Sequence, residues 1–166
     1  RTRIKQSNAT GQNKNNTLKI MQWNAEGVAR KKLELQKFLH EQQIDIICIQ
    51  ETHLNKNCRF YIRGYETYRL DRDGHKGGII TLVKNNIAAS ETSRSTGEAE
   101  HLTVKIHVLP EPIHVTNYYC PNNKKLELES IHTAEKNQII LGDFNSHSPS
   151  WGYAKMYVRD EVEEWM

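Results

Sequence analysis

The chain has 166 residues, of which 37% are hydrophobic and 26% charged, and its formal net charge is +3. A chain of this length buries about two-thirds of its unfolded surface on folding, which is enough for one core and excludes two. The aromatic residues and the ordinary share of charge argue against disorder throughout. No apolar run reaches the roughly 18 to 20 residues of a membrane span, and no signal-peptide pattern is present, so we expect a protein that is neither membrane-spanning nor secreted.

The cysteines are expected to be free thiols in a reducing, intracellular compartment. Their number is odd and no two stand in a C-x-x-C pattern, so neither a disulfide framework nor a cysteine zinc site fits them. They are Cys48, Cys58 and Cys120.

The positive charge is concentrated at the N-terminus. Residues 1–17 carry four basic residues and no acid, whereas residues 18–166 carry 19 basic and 20 acidic residues, a balance of −1. Because the first segment has almost nothing apolar to bury, we expect residues 1–17 to be a flexible basic tail. Affinity for phosphate backbones must then come from this tail or from local placement of charge.

The ordered part begins with the pattern of a parallel βαβ unit. An apolar run at residues 18–23 is followed by a polar break and by helical periodicity up to about residue 43. Residues 44–49 are nearly all apolar and β-branched, which predicts a strand buried on both faces. Strand, helix and buried strand in this order predict two parallel strands.

The second half of the chain is predicted to be rich in strands. Residues 79–83 form a strand, and the Ser, Thr and Glu-rich residues 85–100 are expected to be loop. Strict alternation at residues 102–108 and again at 113–119 predicts a hairpin with one buried side.

Shorter elements follow the predicted hairpin. Residues 126–132 suggest a short helix, and residues 138–141 an apolar strand that stops at Gly142. Residues 160–166 begin a helix-like pattern.

Tight polar clusters follow four of these predicted strands. A single Asn or Asp after a strand is more often a turn former or helix cap than a catalytic residue. Four such clusters in one small domain favour a site, because a sheet fixes the backbone while strand ends free the side chains. The clusters are residues 23–27 (WNAEG), 50–53 (QETH), 119–122 (YCPN) and 142–145 (GDFN).

These clusters, in this order, resemble the signatures of the endonuclease/exonuclease/phosphatase family. W-N, Q-E-T, Y-x-P and G-D-F-N each follow a predicted strand, and the stretch GDFNSHSPSWG is similar to the endonuclease domain of jockey-like non-LTR retrotransposons. The resemblance extends from Leu18 to about Trp165. It implies an α/β sandwich of two mixed sheets, and it implies hydrolysis of phosphate esters with a divalent metal, Mg²⁺ or alternatively Mn²⁺.

The resemblance also implies roles for individual residues. Glu51 would be the main metal carboxylate, Asp143 would orient and deprotonate the attacking water, and Asn145 would hydrogen-bond a phosphate oxygen or the nucleophile. Asn24 would support both metal and phosphate. Tyr119 would direct its hydroxyl toward the phosphate, with a plain core tyrosine as the alternative. We expect the polar clusters at Asn24, Glu51, Asp143 and Asn145 to meet at one end of the sandwich.

Other residues fit such roles less well. Glu26 occupies a position where some family members have an acid near the metal, so it is a further candidate metal ligand. His53 and His147 show no zinc-ligand spacing, and exposed or hydrogen-bonded histidines are the better interpretation. The basic run at residues 30–32 could contact DNA phosphate, although such runs are usually solvated.

The sequence departs from the family pattern at its end. The family closes with an S-D-H motif, and no Asp-His pair occurs among these 166 residues. We therefore expect residues 18–166 to form an incomplete, C-terminally truncated domain, either a fragment of a longer product or a degenerate copy. Loss of such a group typically costs about 2 to 4 orders of magnitude in rate.

The leading functional hypothesis is a DNA-nicking, metal-dependent endonuclease domain of a retrotransposon polyprotein that also carries a reverse transcriptase. Its partner would be DNA and not a membrane, it would act in the nucleus, and its activity would be impaired in this chain. One alternative is a non-catalytic remnant with weak nucleic-acid binding. Another is a phosphatase or lipid phosphodiesterase of the same fold.

Overall fold

A computed structural model describes residues 17–74, 76–95, 97–131 and 136–146, and it confirms the predicted two-sheet sandwich. One sheet has the order β1-β2-β4-β3 and the other the order β5-β6-β7-β8. The predictions for residues 1–16, for His147 and for residues 160–166 lie outside the described residues. The strands of the first sheet are β1 (Ile20–Asn24), β2 (Ile46–Gln50), β3 (Tyr65–Leu70) and β4 (Ile79–Lys84), and those of the second are β5 (Ala89–Arg94), β6 (Glu100–Ile106), β7 (Ile113–Tyr119) and β8 (Gln138–Asp143).

The predicted parallel βαβ unit is present. A 3₁₀ turn leads into helix α1 (Lys32–Glu41), which buries Leu35 and Leu39, four residues apart on one face of the helix. Strands β1 and β2 pair in parallel from Ile20 opposite Ile46 to Asn24 opposite Gln50. All five residues of β2 are buried, as its continuous apolar sequence predicts.

Two strands differ from the sequence expectation. The prediction of loop for residues 85–100 is wrong in part, because β5 lies there as an edge strand antiparallel to β6. Its Ser and Thr residues carry no apolar alternation, since an edge strand with exposed side chains needs none. Strand β3 was not predicted; it pairs with β4 at the edge of the first sheet, and most of its residues are only half-buried.

The hairpin of β6 and β7 is present and antiparallel, but the prediction that only one side is buried is wrong. Val104 and Val115 face the first sheet, whereas the opposite face holds buried polar side chains that bond to one another. Thr103 and Thr116 are joined there by a hydroxyl hydrogen bond of 2.8 Å. This face is therefore buried although its residues are polar. In the sequence it alternates with the apolar face just as a solvent-exposed face would.

Two shorter elements also differ in extent. The predicted strand at residues 138–141 does not stop at Gly142, because β8 continues in parallel beside β7 as far as Asp143. Of the short helix predicted for residues 126–132, the described part contains a 3₁₀ turn, Leu128–Ser130. The longer β8 matters for the site, because it makes Asp143 a strand residue.

A buried amide bridge joins the two sheets. Asn117 of β7 is fully buried, and its amide nitrogen donates to the Ile80 carbonyl of β4 at 2.9 Å. Its amide oxygen accepts from Gln50 Nε2 at 2.7 Å, and Gln50 Oε1 accepts from Gln22 Nε2 at 2.6 Å. Because buried polar groups are costly unless they are paired, this chain of amides holds the sheets in one relative position.

The three cysteines are free thiols, and burial raises the pKa of Cys48 to about 12. Over the described ranges, no helix has the length and apolar character to cross a bilayer.

We expect Asn117→Ala to lower the free energy of unfolding by about 2 to 4 kcal/mol, because it removes the nearer of the two acceptors of the buried Gln50 amide and opens a cavity. Urea denaturation followed by circular dichroism measures the change. Asn85→Ala, a change at an exposed position, is the control and should stay within about 0.5 kcal/mol of the parent. A similar loss in both variants would contradict the role of the bridge.

Candidate functional site

The predicted site residues stand at the carboxyl ends of parallel strands. Asn24 is the last residue of β1, and Glu51 follows the end of β2. Tyr119 and Asp143 end β7 and β8 and lie opposite each other in the register of that parallel pair. Because both parallel pairs bring their carboxyl ends to the same end of the sandwich, residues far apart in sequence become neighbours.

Asn24 links the two acidic residues. Its side-chain nitrogen donates to Glu51 Oε1 at 3.0 Å and to Asp143 Oδ2 at 2.7 Å. Its amide oxygen accepts the Glu26 backbone N–H at 3.2 Å. The amide therefore presents its donors to the two carboxylates.

Asp143 is held at both carboxylate oxygens. Asn24 donates to Oδ2, and the Asn145 backbone N–H donates to Oδ1 at 3.0 Å. The Asn145 side chain donates to the Cys120 carbonyl at 2.8 Å, which ties the segment after β8 to the end of β7. In this arrangement Asn145 positions Asp143, and its contact with a phosphate stays a prediction.

Tyr119 completes the group of neighbours. Its hydroxyl lies within hydrogen-bonding reach of the Glu51 carboxylate. Burial, together with the charges of Glu51, Glu100 and Asp143, raises the pKa of this hydroxyl well above its ordinary value. The phenol is thus a protonated donor at neutral pH and not a base.

Glu26 and His53 lie at the edge of the candidate site. Glu26 joins the cluster through its backbone N–H, while its side chain is exposed, so its role as a metal ligand stays a prediction. The His53 Nε2 atom lies 3.4 Å from Glu51 Oε2, and the ring packs against Gly27. The structure therefore places His53 beside the carboxylate.

The backbone of the site is strained. Among the described residues, six that are not glycine have positive φ, and four of these belong to the site. Such conformations are uncommon and persist where the surroundings enforce them, which is frequent at functional sites. The four are Glu26 (φ 42°), Glu51 (φ 50°), His53 (φ 53°) and Asn145 (φ 49°).

The oxygen atoms available at the site suit a hard divalent cation as ligands. Glu51 and Asp143 offer carboxylate oxygens bound to one and the same amide nitrogen, and such oxygens are what Mg²⁺ prefers. In the part of the chain that the structure describes, no three His, Cys, Asp or Glu side chains are grouped closely enough for a cage made of protein ligands alone. A pair of carboxylates that leaves most positions to water fits Mg²⁺ better than structural zinc.

Glu100 is a neighbour of the site that the sequence analysis missed. It begins β6 opposite Tyr119, is only 6% exposed, and accepts the Gly78 backbone N–H at 2.7 Å. Burial raises the pKa of its carboxyl to about 7, helped by the Glu51 charge and opposed by the Gly78 hydrogen bond and the Arg72 guanidinium. The sequence does contain a signal for it. Glu100 continues the alternation of Leu102 and Val104 and therefore lies on the same inward, apolar face of the strand as an acid.

We expect the stability of the parent chain, measured against Glu100→Gln, to fall as the pH rises from about 4.5 to 7. A raised pKa means that the folded state holds the proton more tightly than the unfolded state, so the stabilisation is complete at low pH and is lost on ionisation. The difference between the proteins should change by up to about 3 kcal/mol over this range. Urea denaturation at several pH values tests it, and parallel pH profiles would contradict it.

Residues 21–163 match the endonuclease/exonuclease/phosphatase family. The RNA-directed DNA polymerase of the mobile element jockey from Drosophila melanogaster is 30% identical over 153 residues, and that from Drosophila funebris is 27% identical over 153 residues. Each alignment covers 88% of this chain, but the chain spans only 17% of the length of these relatives.

The fold is similar to that of the endonuclease domain of TRAS1, a telomere-specific non-LTR retrotransposon. The TM-score is 0.69 at 20% identity, with 90% of this chain and 68% of that chain covered. At this level of identity the likeness establishes the fold, whereas the family match and the jockey relatives establish the relationship. The family match shows that the chain belongs to the endonuclease/exonuclease/phosphatase family, and the alignments show that it is similar to part of the RNA-directed DNA polymerase of the mobile element jockey.

Proposed function

We propose that this chain is a metal-dependent, DNA-nicking endonuclease domain of a retrotransposon polyprotein. The observation that carries the proposal is the single Asn24 amide that bonds both Glu51 and Asp143, one acid from each sheet. Two carboxylates at the shared end of parallel strands, beside a tyrosine donor, form a constellation for hydrolysis of a phosphate ester.

Charge supports the need for a cation. Glu51, Asp143 and the nearby Glu100 would repel a polyanionic substrate, and the balance of residues 18–166 is −1. Glu51 is the residue that would mainly hold Mg²⁺, or Mn²⁺, with Glu26 and Asn24 as further candidates. The bound ion would offset phosphate charge and polarise the scissile group.

The chain's own residues would then have distinct roles. Asp143, whose carboxylate is oriented at both oxygens, would accept a proton from the attacking water. Tyr119 would donate its hydroxyl hydrogen bond to a phosphate oxygen, since burial and neighbouring charge keep it protonated. Asn24 holds the two carboxylates beside each other, and Asn145 fixes the segment that carries Asp143.

The partners follow from the relatives. The jockey proteins are named as RNA-directed DNA polymerases, so we propose that this domain acts beside a reverse transcriptase and nicks the DNA that primes it. Such a domain would work inside the cell, in the nucleus when it acts on DNA. We further propose that a polypeptide of these 166 residues alone is impaired, because no S-D-H sequence occurs among them.

In a polypeptide extended through an S-D-H segment, we expect Glu51→Gln to abolish Mg²⁺-dependent nicking of supercoiled plasmid while leaving the fold intact. The amide is isosteric but lacks the charge that a hard cation requires. The 166-residue chain should nick more slowly by about 2 to 4 orders of magnitude. Agarose gels run with Mg²⁺ and with a chelator measure both effects.

Glu41→Gln makes the same chemical change on the exposed surface of α1 and serves as the control. Undiminished cleavage by Glu51→Gln would place the cation elsewhere. Rapid Mg²⁺-dependent nicking by the 166-residue chain would contradict the proposed impairment, and absence of nicking from the extended form would favour a non-catalytic remnant.

Non-specific DNA binding should depend on residues 1–17. Their removal changes the net charge from +3 to −1, and contacts between basic residues and phosphates govern both affinity and its salt dependence. Loss of four such contacts would reduce the slope of log K against log salt by about 3 to 4.

Fluorescence anisotropy with a duplex oligonucleotide at several salt concentrations measures this slope. A tail of unchanged length with Gln in place of its four basic residues is the matched control, because it separates charge from length. An unchanged affinity in both variants would locate the DNA contacts within residues 18–166.

A further inference from the structure

Glu100 connects the second sheet to the segment that carries Glu51. Its carboxylate lies between the sheets, with Oε2 2.7 Å from the Gly78 backbone nitrogen and Oε1 3.6 Å from an Arg72 guanidinium nitrogen. The side chain is almost fully buried. Its contacts thus reach the loop before β4 in the first sheet, although Glu100 itself begins β6 in the second.

The two glycines of that loop hold the segment after Glu51. The Gly78 carbonyl accepts the Thr52 N–H at 3.1 Å, and the Gly77 carbonyl accepts the His53 N–H at 2.9 Å. Both glycines have positive φ, 88° and 85°, which favours glycine over other residues. The hydrogen bonds therefore run without interruption from Glu100 through the glycine loop to the two residues that follow Glu51.

Close packing leaves this loop little freedom. A Cβ atom added at Gly77 would lie 2.6 Å from Glu100 Oε1, and one added at Gly78 would lie 2.5 Å from Thr52 Oγ1. The opposite side of the segment is fixed as well, because the Gly27 N–H donates to the Glu51 carbonyl at 2.8 Å. Glu51 thus keeps its strained backbone between two anchored loops, of which one depends on Glu100.

We infer that Glu100 is a positioning residue, which holds the Gly77–Gly78 loop and through it the backbone that aims the Glu51 carboxylate into the site. The value of this position for cation binding rests on the proposed function, whereas the positioning itself does not. An oxygen acceptor for Gly78 is the essential feature, so glutamine should replace glutamate here and an apolar side chain should not.

Amide hydrogen exchange measured by NMR tests the positioning directly. Glu100→Met keeps a similar side-chain volume but removes the acceptor, and we expect the Thr52 and His53 amides to exchange at least about tenfold faster relative to the centre of β2. Glu100→Gln should restore protection to within about threefold of the parent.

Asp45 provides a matched control at the other end of the sandwich. Its carboxylate accepts the Lys19 backbone N–H at 2.9 Å and lies 3.6 Å from Lys84 Nζ, which repeats the chemistry of Glu100. Asp45→Leu, which likewise removes the acceptor, should leave Thr52 and His53 protected. Equal loss of protection in Asp45→Leu, or a uniform rise in the exchange rates that includes β2, would mean that Glu100 contributes only to global stability. Either result would overturn the inference.

Cation affinity gives the second readout. Titration with Mg²⁺ alone is followed through the Glu51 amide signal. We expect binding about 10 to 100-fold weaker in Glu100→Met, which is the usual cost of losing a residue that orients a metal ligand. Binding by Glu100→Gln should stay near the parent value. If the parent binds no Mg²⁺, the proposed function fails while the exchange measurement still decides the positioning.

Unchanged exchange of Thr52 and His53 in Glu100→Met would overturn the inference. Should Glu100→Met fail to fold, Glu100→Gln decides instead. Its amide oxygen must keep both amides protected while the Gly78 amide signal moves with the loss of charge, and loss of protection in this variant would also overturn the inference.

Discussion

The hydrogen bonds of Asn24 are the interaction on which the site depends, because they join acids that belong to different sheets. Glu51 follows β2 of the first sheet, and Asp143 ends β8 of the second. Two like charges held near one nitrogen repel each other, and the two hydrogen bonds that Asn24 donates offset part of this repulsion. The distance between the sheets must therefore be constant, and the buried amide of Asn117 fixes it deeper in the sandwich.

Strand direction decides which residues can enter such a site. Strands β1 and β2 are parallel, and so are β7 and β8, so their carboxyl ends emerge together. A hairpin partner contributes from its opposite end, and for that reason Glu100, the first residue of β6, lies beside Tyr119, the last residue of β7. The site thus collects strand ends from parallel neighbours and a strand start from an antiparallel one.

The sequence was informative where periodicity and strand ends carry the signal. The βαβ unit, the β6–β7 hairpin and the polar clusters at Asn24, Glu51 and Asp143 all follow apolar runs, and each could be located without a structure. Strand β5 could not, because an edge strand of Ser and Thr buries little and leaves no apolar alternation. The double burial of the hairpin was hidden because Thr103 and Thr116 satisfy each other across strands.

Glu100 illustrates a limit of reading strand ends alone. The sequence prediction favoured polar residues that follow strands, whereas Glu100 is the first residue of β6 and the last residue of a segment that was expected to be loop. Its only sequence signal was its place on the inward face of the strand. Burial changes its chemistry, because a carboxyl with a pKa of about 7 is partly neutral under physiological conditions. A neutral Glu100 still offers an acceptor to Gly78 but adds less repulsion to Glu51 and Asp143. Glu100 can therefore support the backbone of the candidate site without adding a full third negative charge beside Glu51 and Asp143.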